Sequence, residues 1–143
     1  RLEQPNEDWA VIVLRAELIQ NKRCIFSHAN AARRDIANLP LEQRMTSDAL
    51  HAMFADHDDM PPRATLNIPG NCPTNPQAEI LVLDPIEPAH IVAVCFDGNE
   101  RGQQLNRACT AAINGDGSPT FACLPQVFSA RVDFAHWRAP QNG

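Results

Sequence analysis

Along the chain, apolar positions gather in short runs more often than in long periodic stripes. The clearest case is Ala78 to Phe96, AEILVLDPIEPAHIVAVCF, where the runs Ile80–Leu83 and His90–Phe96 flank prolines at Pro85 and Pro88. Both runs are rich in β-branched residues and lack helical spacing, so they predict a pair of buried antiparallel strands. The two prolines predict a wide, rigid connection between them instead of a two-residue turn.

The same reading predicts helices upstream. NEDWAVIVLRAELIQNKR carries a capping Asn6, acidic residues at its start, and Lys22 and Arg23 at its end, which suits a helix and its dipole. Because Ala10–Leu14 is apolar on every side, a buried strand at Trp9–Leu14 is the rival reading, and Trp9 is assigned to the core. CIFSHANAARRDIANLP predicts a turn and a second helix closed by Pro40. Thr46-Ser47-Asp48 is an N-cap cluster, and Leu50, Met53 and Phe54 form an i, i+3, i+4 stripe, predicting a helix from about Asp48 to Asp56.

Residues 61–77 hold five prolines and one glycine, which predicts an irregular connector. So long a connector in a compact domain is either tied down, for instance through Cys72, or is a working surface. Past Asp97-Gly98, Asn99 caps a helix over NERGQQLNRACTAAI whose inner stripe is Leu105, Ala108, Cys109, Ala112 and Ile113. Asn114 to Pro119 reads as a loop. Thr120–Leu124 and Gln126–Phe134 read as strands split at Pro125. Helices followed by strands with one helix among them predict an α+β fold: N-terminal helices, then a small antiparallel sheet with one further helix packed on it. The organisation expected is a single domain over 1–143, with a mainly helical part at 1–60, the connector at 61–77 and a sheet-forming part at 78–138.

Composition narrows the function class. The chain has 143 residues, enough for one sizeable core, and 44% hydrophobic with 20% charged residues argues against disorder. A formal charge of -5 argues against nucleic acid or an anionic membrane as partner, since both usually need a basic face. No run approaches the roughly 20 apolar residues of a membrane span, so the chain as given is expected to be soluble. It starts at Arg1 without a signal-like segment, which is compatible with a removed targeting segment, anchor or tag.

Five cysteines, none in a C-x-x-C pair, lack the signature of zinc ribbons and thioredoxin-like motifs. Two disulfides are expected, Cys109–Cys123 across a short loop and Cys72–Cys95 across the ends of the hairpin, with Cys24 as the odd thiol. Such bridges imply a periplasmic or secreted protein. The alternative is five reduced cysteines in the cytoplasm.

His51 to Asp59 is the densest set of ligand-type residues. His51 and His57 are six apart, so a regular helix points them in different directions, and Asp56-x-Asp58 lacks the glycine and distal glutamate of a calcium loop. Asp56, His57, Asp58 and Asp59 are therefore read as a solvated acidic helix end that could meet a basic partner surface, with no metal. Trp137 and Arg138 form a second candidate interface patch. Cys24 and His28 have i, i+4 spacing and are the weak catalytic candidates, a thiol beside an imidazole. Ser118 and the glycines at 115 and 117 match neither a nucleophile elbow nor a phosphate loop.

These signs favour a small extracytoplasmic protein-binding domain, such as an inhibitor, an immunity-type protein or an accessory subunit of envelope machinery, and weigh against an enzyme. No cofactor and no nucleic acid are expected. The alternatives are a small hydrolase using the Cys/His or His/Asp residues, and a structural subunit of a larger assembly.

Overall fold

A computed structural model of the chain describes residues 8–113, 115 and 117–133. The fold is α+β, in two compact units. Among the described residues, one unit takes 8–20 with 86–129, and the other takes 21–85 with 130–133.

The first unit is built on a three-stranded sheet. Its strands are β1 (Ala10–Leu14), β4 (Ile91–Phe96) and β5 (Thr120–Cys123), in the order β1-β4-β5. β1 pairs antiparallel with β4 from Ala10↔Phe96 to Leu14↔Ile91, with an irregularity at Val13/Leu14. β5 pairs parallel with β4 and is reached through α6 (Glu100–Ala112), which packs on both. A parallel pair needs such a crossover. Asn99 caps α6, its side-chain oxygen accepting from the Gly102 N–H at 2.8 Å. At the other end of the unit, Arg15 donates through its backbone to the His90 carbonyl at 2.9 Å and through Nε to the Ala89 carbonyl at 3.1 Å. Arg101 clasps the Asp8 carboxylate at 2.8–3.1 Å.

The second unit holds β2 (Cys24–Ser27) and β3 (Glu79–Val82), paired antiparallel from Cys24↔Val82 to Ser27↔Glu79. The Leu83 N–H extends the ladder to the Arg23 carbonyl, and Arg23 closes on Asp84 with its side chain. β2 is buried along its whole length, and α3 (Leu41–Arg44) and α4 (Ser47–Ala52) pack on it. Ile25, Phe26, Ala29, Ile36, Met53 and Leu66 fill this core. Two more short helices, α2 (Arg34–Ala37) and α5 (Arg63–Leu66), lie between the strands in sequence. α5 ends at Asn67 in the left-handed region, φ 51°, a conformation asparagine tolerates better than most side chains.

Five sequence expectations change. The N-terminal helix is largely a strand: the β-branched run in Ala10–Leu14 pairs with β4, and only a short helix, α1 (Leu18–Asn21), follows. Trp9 is 57% exposed and is not core. Cys24–Ser27, expected in a turn, is a strand as well.

The runs around Pro85 and Pro88 are both strands, but not a hairpin. β3 pairs with β2 and β4 with β1 and β5, and β3 is mostly exposed. The prolines between them rule out the tight turn that would hold the two together, and a 3₁₀ turn at Pro88–His90 leads into β4 instead. After β5, Pro125–Phe128 is a 3₁₀ turn and no strand follows in 129–133. Phe134, at the end of that expected strand, lies outside the described residues.

Candidate functional site

Burying a polar side chain costs free energy unless its hydrogen bonds are replaced, so where such residues collect is informative. Ser27, Arg44, Thr74, Asn75 and Asp133 are all buried, and all belong to the second unit. They converge on the start of β3, where Glu79 stands exposed.

Glu79 lies opposite Ser27 in the ladder, which puts the two side chains on the same face of the sheet. Its Oε2 accepts the Ala31 N–H at 3.2 Å. The loop that supplies that amide is turned by Asn30, whose Oδ1 accepts the Ala32 N–H at 2.8 Å. No cation pairs with Glu79 among the described residues. Behind it, Ser27 Oγ accepts a 2.7 Å hydrogen bond from Arg44 Nη2.

The chain entering β3 is braced at Thr74, which is fully buried. Its N–H donates to the Met53 carbonyl at 2.8 Å, its hydroxyl accepts from Arg63 Nη1 at 3.2 Å, and its carbonyl accepts from Arg131 Nη2 at 3.0 Å. Arg131 Nη1 also binds the Pro73 carbonyl at 2.8 Å, and the same guanidinium pairs with Asp133, whose side chain is wholly enclosed. Arg63 holds the far end of the loop through the carbonyls of Pro69 and Gly70. Between Thr74 and Glu79, Asn75 forms the last turn, its Oδ1 accepting the Gln77 N–H and its carbonyl the Ala78 N–H. The proline-rich loop is thus tied by two arginines, and it presents Glu79 at a fixed end.

The residues singled out from sequence have other surroundings. His28 and His57 stack face to face, with ring centroids 4.2 Å apart and planes 12° apart. His57 Nε2 lies 2.7 Å from the Ala52 carbonyl, and since a carbonyl only accepts, that nitrogen carries the proton. Burial, then the neighbouring His57 and Arg33, hold the His28 pKa below its ordinary value. Asp56 accepts the Arg63 N–H at 2.6 Å and Asp59 pairs with Arg33 at 3.0 Å, leaving Asp58 as the exposed acid of the three without a partner among the described residues. The acidic helix end is in large part internal bracing.

Cys24 and His28 do not form an activated pair. Cys24 sits on a buried strand, and burial pushes its thiol pKa up, assisted by Asp84, which is the reverse of what a nucleophilic thiolate needs. The expected disulfides are absent: Cys24, Cys72, Cys95, Cys109 and Cys123 are all free thiols. Cys95 is a fully buried apolar filler of β4, and Cys72 lies in the loop the arginines already hold. Trp137 and Arg138 lie outside the described residues. No helix among the described residues is long and apolar enough to cross a membrane.

Sequence reading missed Glu79, Ser27, Arg44, Thr74 and the two bracing arginines. The available signal was Thr74-Asn75-Pro76-Gln77, a turn signature leading straight into a lone acid at the head of an apolar strand.

A family model described as "DarT: ssDNA thymidine ADP-ribosyltransferase, DarT" matches residues 1–125. No curated protein matches the chain. The family match overturns the protein-binding, hydrolase and structural-subunit readings, and with them the expectation of no nucleic acid. The disulfide argument for a periplasmic or secreted protein falls with the free thiols. A formal charge of -5 summed over the whole chain therefore did not exclude a family that acts on single-stranded DNA.

Proposed function

Since the chain belongs to the DarT family of ssDNA thymidine ADP-ribosyltransferases, we propose that it transfers ADP-ribose to thymidine in single-stranded DNA, with Glu79 at the reacting centre. The observation that supports this role is the placement of Glu79: an exposed carboxylate with no cation partner among the described residues, beside buried Ser27 and Arg44, at the end of a turn braced through Thr74.

The chemistry asks for such a group. The bond from the donor ribose's anomeric carbon to its leaving group breaks, and positive charge develops on the ribose ring. A carboxylate held beside that carbon stabilises the charge, as in glycosyl transfer generally. The base of thymidine offers one ring N–H. Its nitrogen forms the new bond to the anomeric carbon, and its proton passes to the Glu79 carboxylate acting as general base. The donor is an ADP-ribosyl compound with a good leaving group, such as NAD+. A DNA substrate makes the cytoplasm the site of action.

The test is transfer from adenylate-labelled NAD+ to oligonucleotides by the full chain. Label should reach a thymidine-containing single strand, and should not reach the same strand with every thymidine replaced by cytidine or the first strand in a duplex. No label on any strand, or equal label on both single strands, would overturn the proposal.

A further inference from the structure

Arg44 ends the four-residue helix α3 and is 8% exposed. A guanidinium carries five N–H donors and stays charged, yet among the described residues Arg44 has a single hydrogen-bond partner, the neutral Ser27 hydroxyl, at 2.7 Å. Its Nε is enclosed and unsatisfied. No carboxylate lies within ion-pairing distance among the described residues. The cross-strand neighbour of Ser27, Glu79, spends an oxygen on the Ala31 amide instead. An enclosed cation left this far short of partners is a large cost with no structural return.

We propose that Arg44, with Ser27, forms an anion subsite that takes a phosphate oxygen of one of the two substrates. The planar guanidinium fork matches phosphate bidentately, and both substrates of the transfer carry phosphate: the pyrophosphate of the ADP-ribosyl donor and the phosphodiester backbone of the strand. Ser27 and Glu79 are direct cross-strand neighbours, whose Cβ atoms lie about 4.5–5.5 Å apart in such pairs. A phosphate seated on Arg44 is therefore within one nucleotide's span of Glu79. The proposal rests on the reading of Glu79 as the carboxylate at the reacting centre.

The experiment measures binding by the full chain carrying Glu79→Gln, which blocks turnover, with and without Arg44→Met or Arg44→Lys. Two probes are titrated, ADP-ribose and a short oligothymidylate. Arg44→Met should weaken one of them about tenfold or more, as loss of a charge-assisted bidentate contact does, with partial recovery in Arg44→Lys. A loss confined to ADP-ribose assigns the subsite to the donor. A loss confined to the oligonucleotide, with the salt dependence of log K shallower by about 0.7, assigns it to one strand phosphate. Removing an unpaired buried cation should leave the melting temperature at or above that of the Glu79→Gln parent.

Unchanged affinity for both probes would overturn the subsite. So would equal weakening toward both together with a lowered melting temperature, which marks a structural role. If Arg44→Met fails to fold, parental affinity for both probes in Arg44→Lys overturns it, and weakening of one supports it. Full transfer activity in Glu79→Gln alone would remove the Glu79 assignment while leaving these affinities readable.

Discussion

Thr74 gives its carbonyl to Arg131, a residue 57 positions further along the chain, at 3.0 Å. The same guanidinium takes the Pro73 carbonyl and the enclosed Asp133 carboxylate. One arginine thereby joins the described C-terminal segment to the turn that delivers Glu79.

Arg131→Ala should accordingly cost about 3 kcal/mol of stability, because it breaks the ion pair of a buried carboxylate and removes the donor to two carbonyls. Urea denaturation measures the loss. Hydrogen exchange should speed up first at the Thr74 and Ala78 amides. Arg131→Lys should restore only part of the stability, since a single ammonium cannot replace the fork. Wild-type stability in the alanine variant would show that the clasp is not holding the loop.

Burial of His28, stacked on His57, should make the second unit pH-sensitive. The His28 pKa is depressed by burial first, then by His57 and Arg33, with Asp59 and Asp35 opposing. A neutral His28 therefore contributes stability that is fully present above the ordinary histidine value of 6.5 and is lost as the pH falls through its lower folded value. Urea midpoints taken from pH 8 to pH 5 should fall over that range, and His28→Gln should flatten the fall. An unaltered pH profile in the variant would assign the effect elsewhere.

In the first unit, Gly102 reverses an ordinary preference. Alanine usually outperforms glycine in a helix by about 1 kcal/mol. Here a Cβ on residue 102 would run into the Asp97 carbonyl, beside the Asn99 cap. Gly102→Ala should therefore destabilise the protein by about 1–3 kcal/mol, the usual range for overpacking. A variant more stable than wild type would contradict the close approach.

The five free cysteines give a direct count. Denatured but unreduced protein should take up five alkyl groups by intact mass, as many as the reduced protein does. A shortfall of two or four would reinstate a bridge.

Local signals in the sequence carried well where the structure is local. Thr46 caps α4, accepting the Ala49 N–H, and Asn99 caps α6, each by short-range hydrogen bonding that the residue types announce. The strand β5 was legible as a short run closed by Pro125, whereas the connector expected to be irregular at 61–77 holds the short helix α5 and the alternating run after Pro125 is not a strand. Partner choice was not. Ala10–Leu14 became a strand because β4 was there to pair with it, and β3 and β4 each found a strand other than the one nearest in sequence.

The site was hidden for the same reason. Arg44 and Ser27 are 17 residues apart and Arg131 and Thr74 are 57 apart, with no periodicity to connect them. Glu79 at the head of a strand looks like any solvent-facing acid until its neighbours are placed. The histidine and aspartates at 56–59 drew notice because they are adjacent in sequence. Adjacency of polar residues there reflects local bracing, as the Arg63 and Arg33 contacts make plain.

The most direct test of the account is the rate of ADP-ribose transfer to a thymidine-containing single strand by Glu79→Gln compared with wild type. Because Glu79 is exposed and makes one backbone hydrogen bond, the variant should keep the wild-type melting temperature. Its rate should fall by about 10³-fold, the scale of losing a positioned general base. A folded Glu79→Gln protein that transfers within a few-fold of wild type would contradict the placement of the reacting centre at the head of β3.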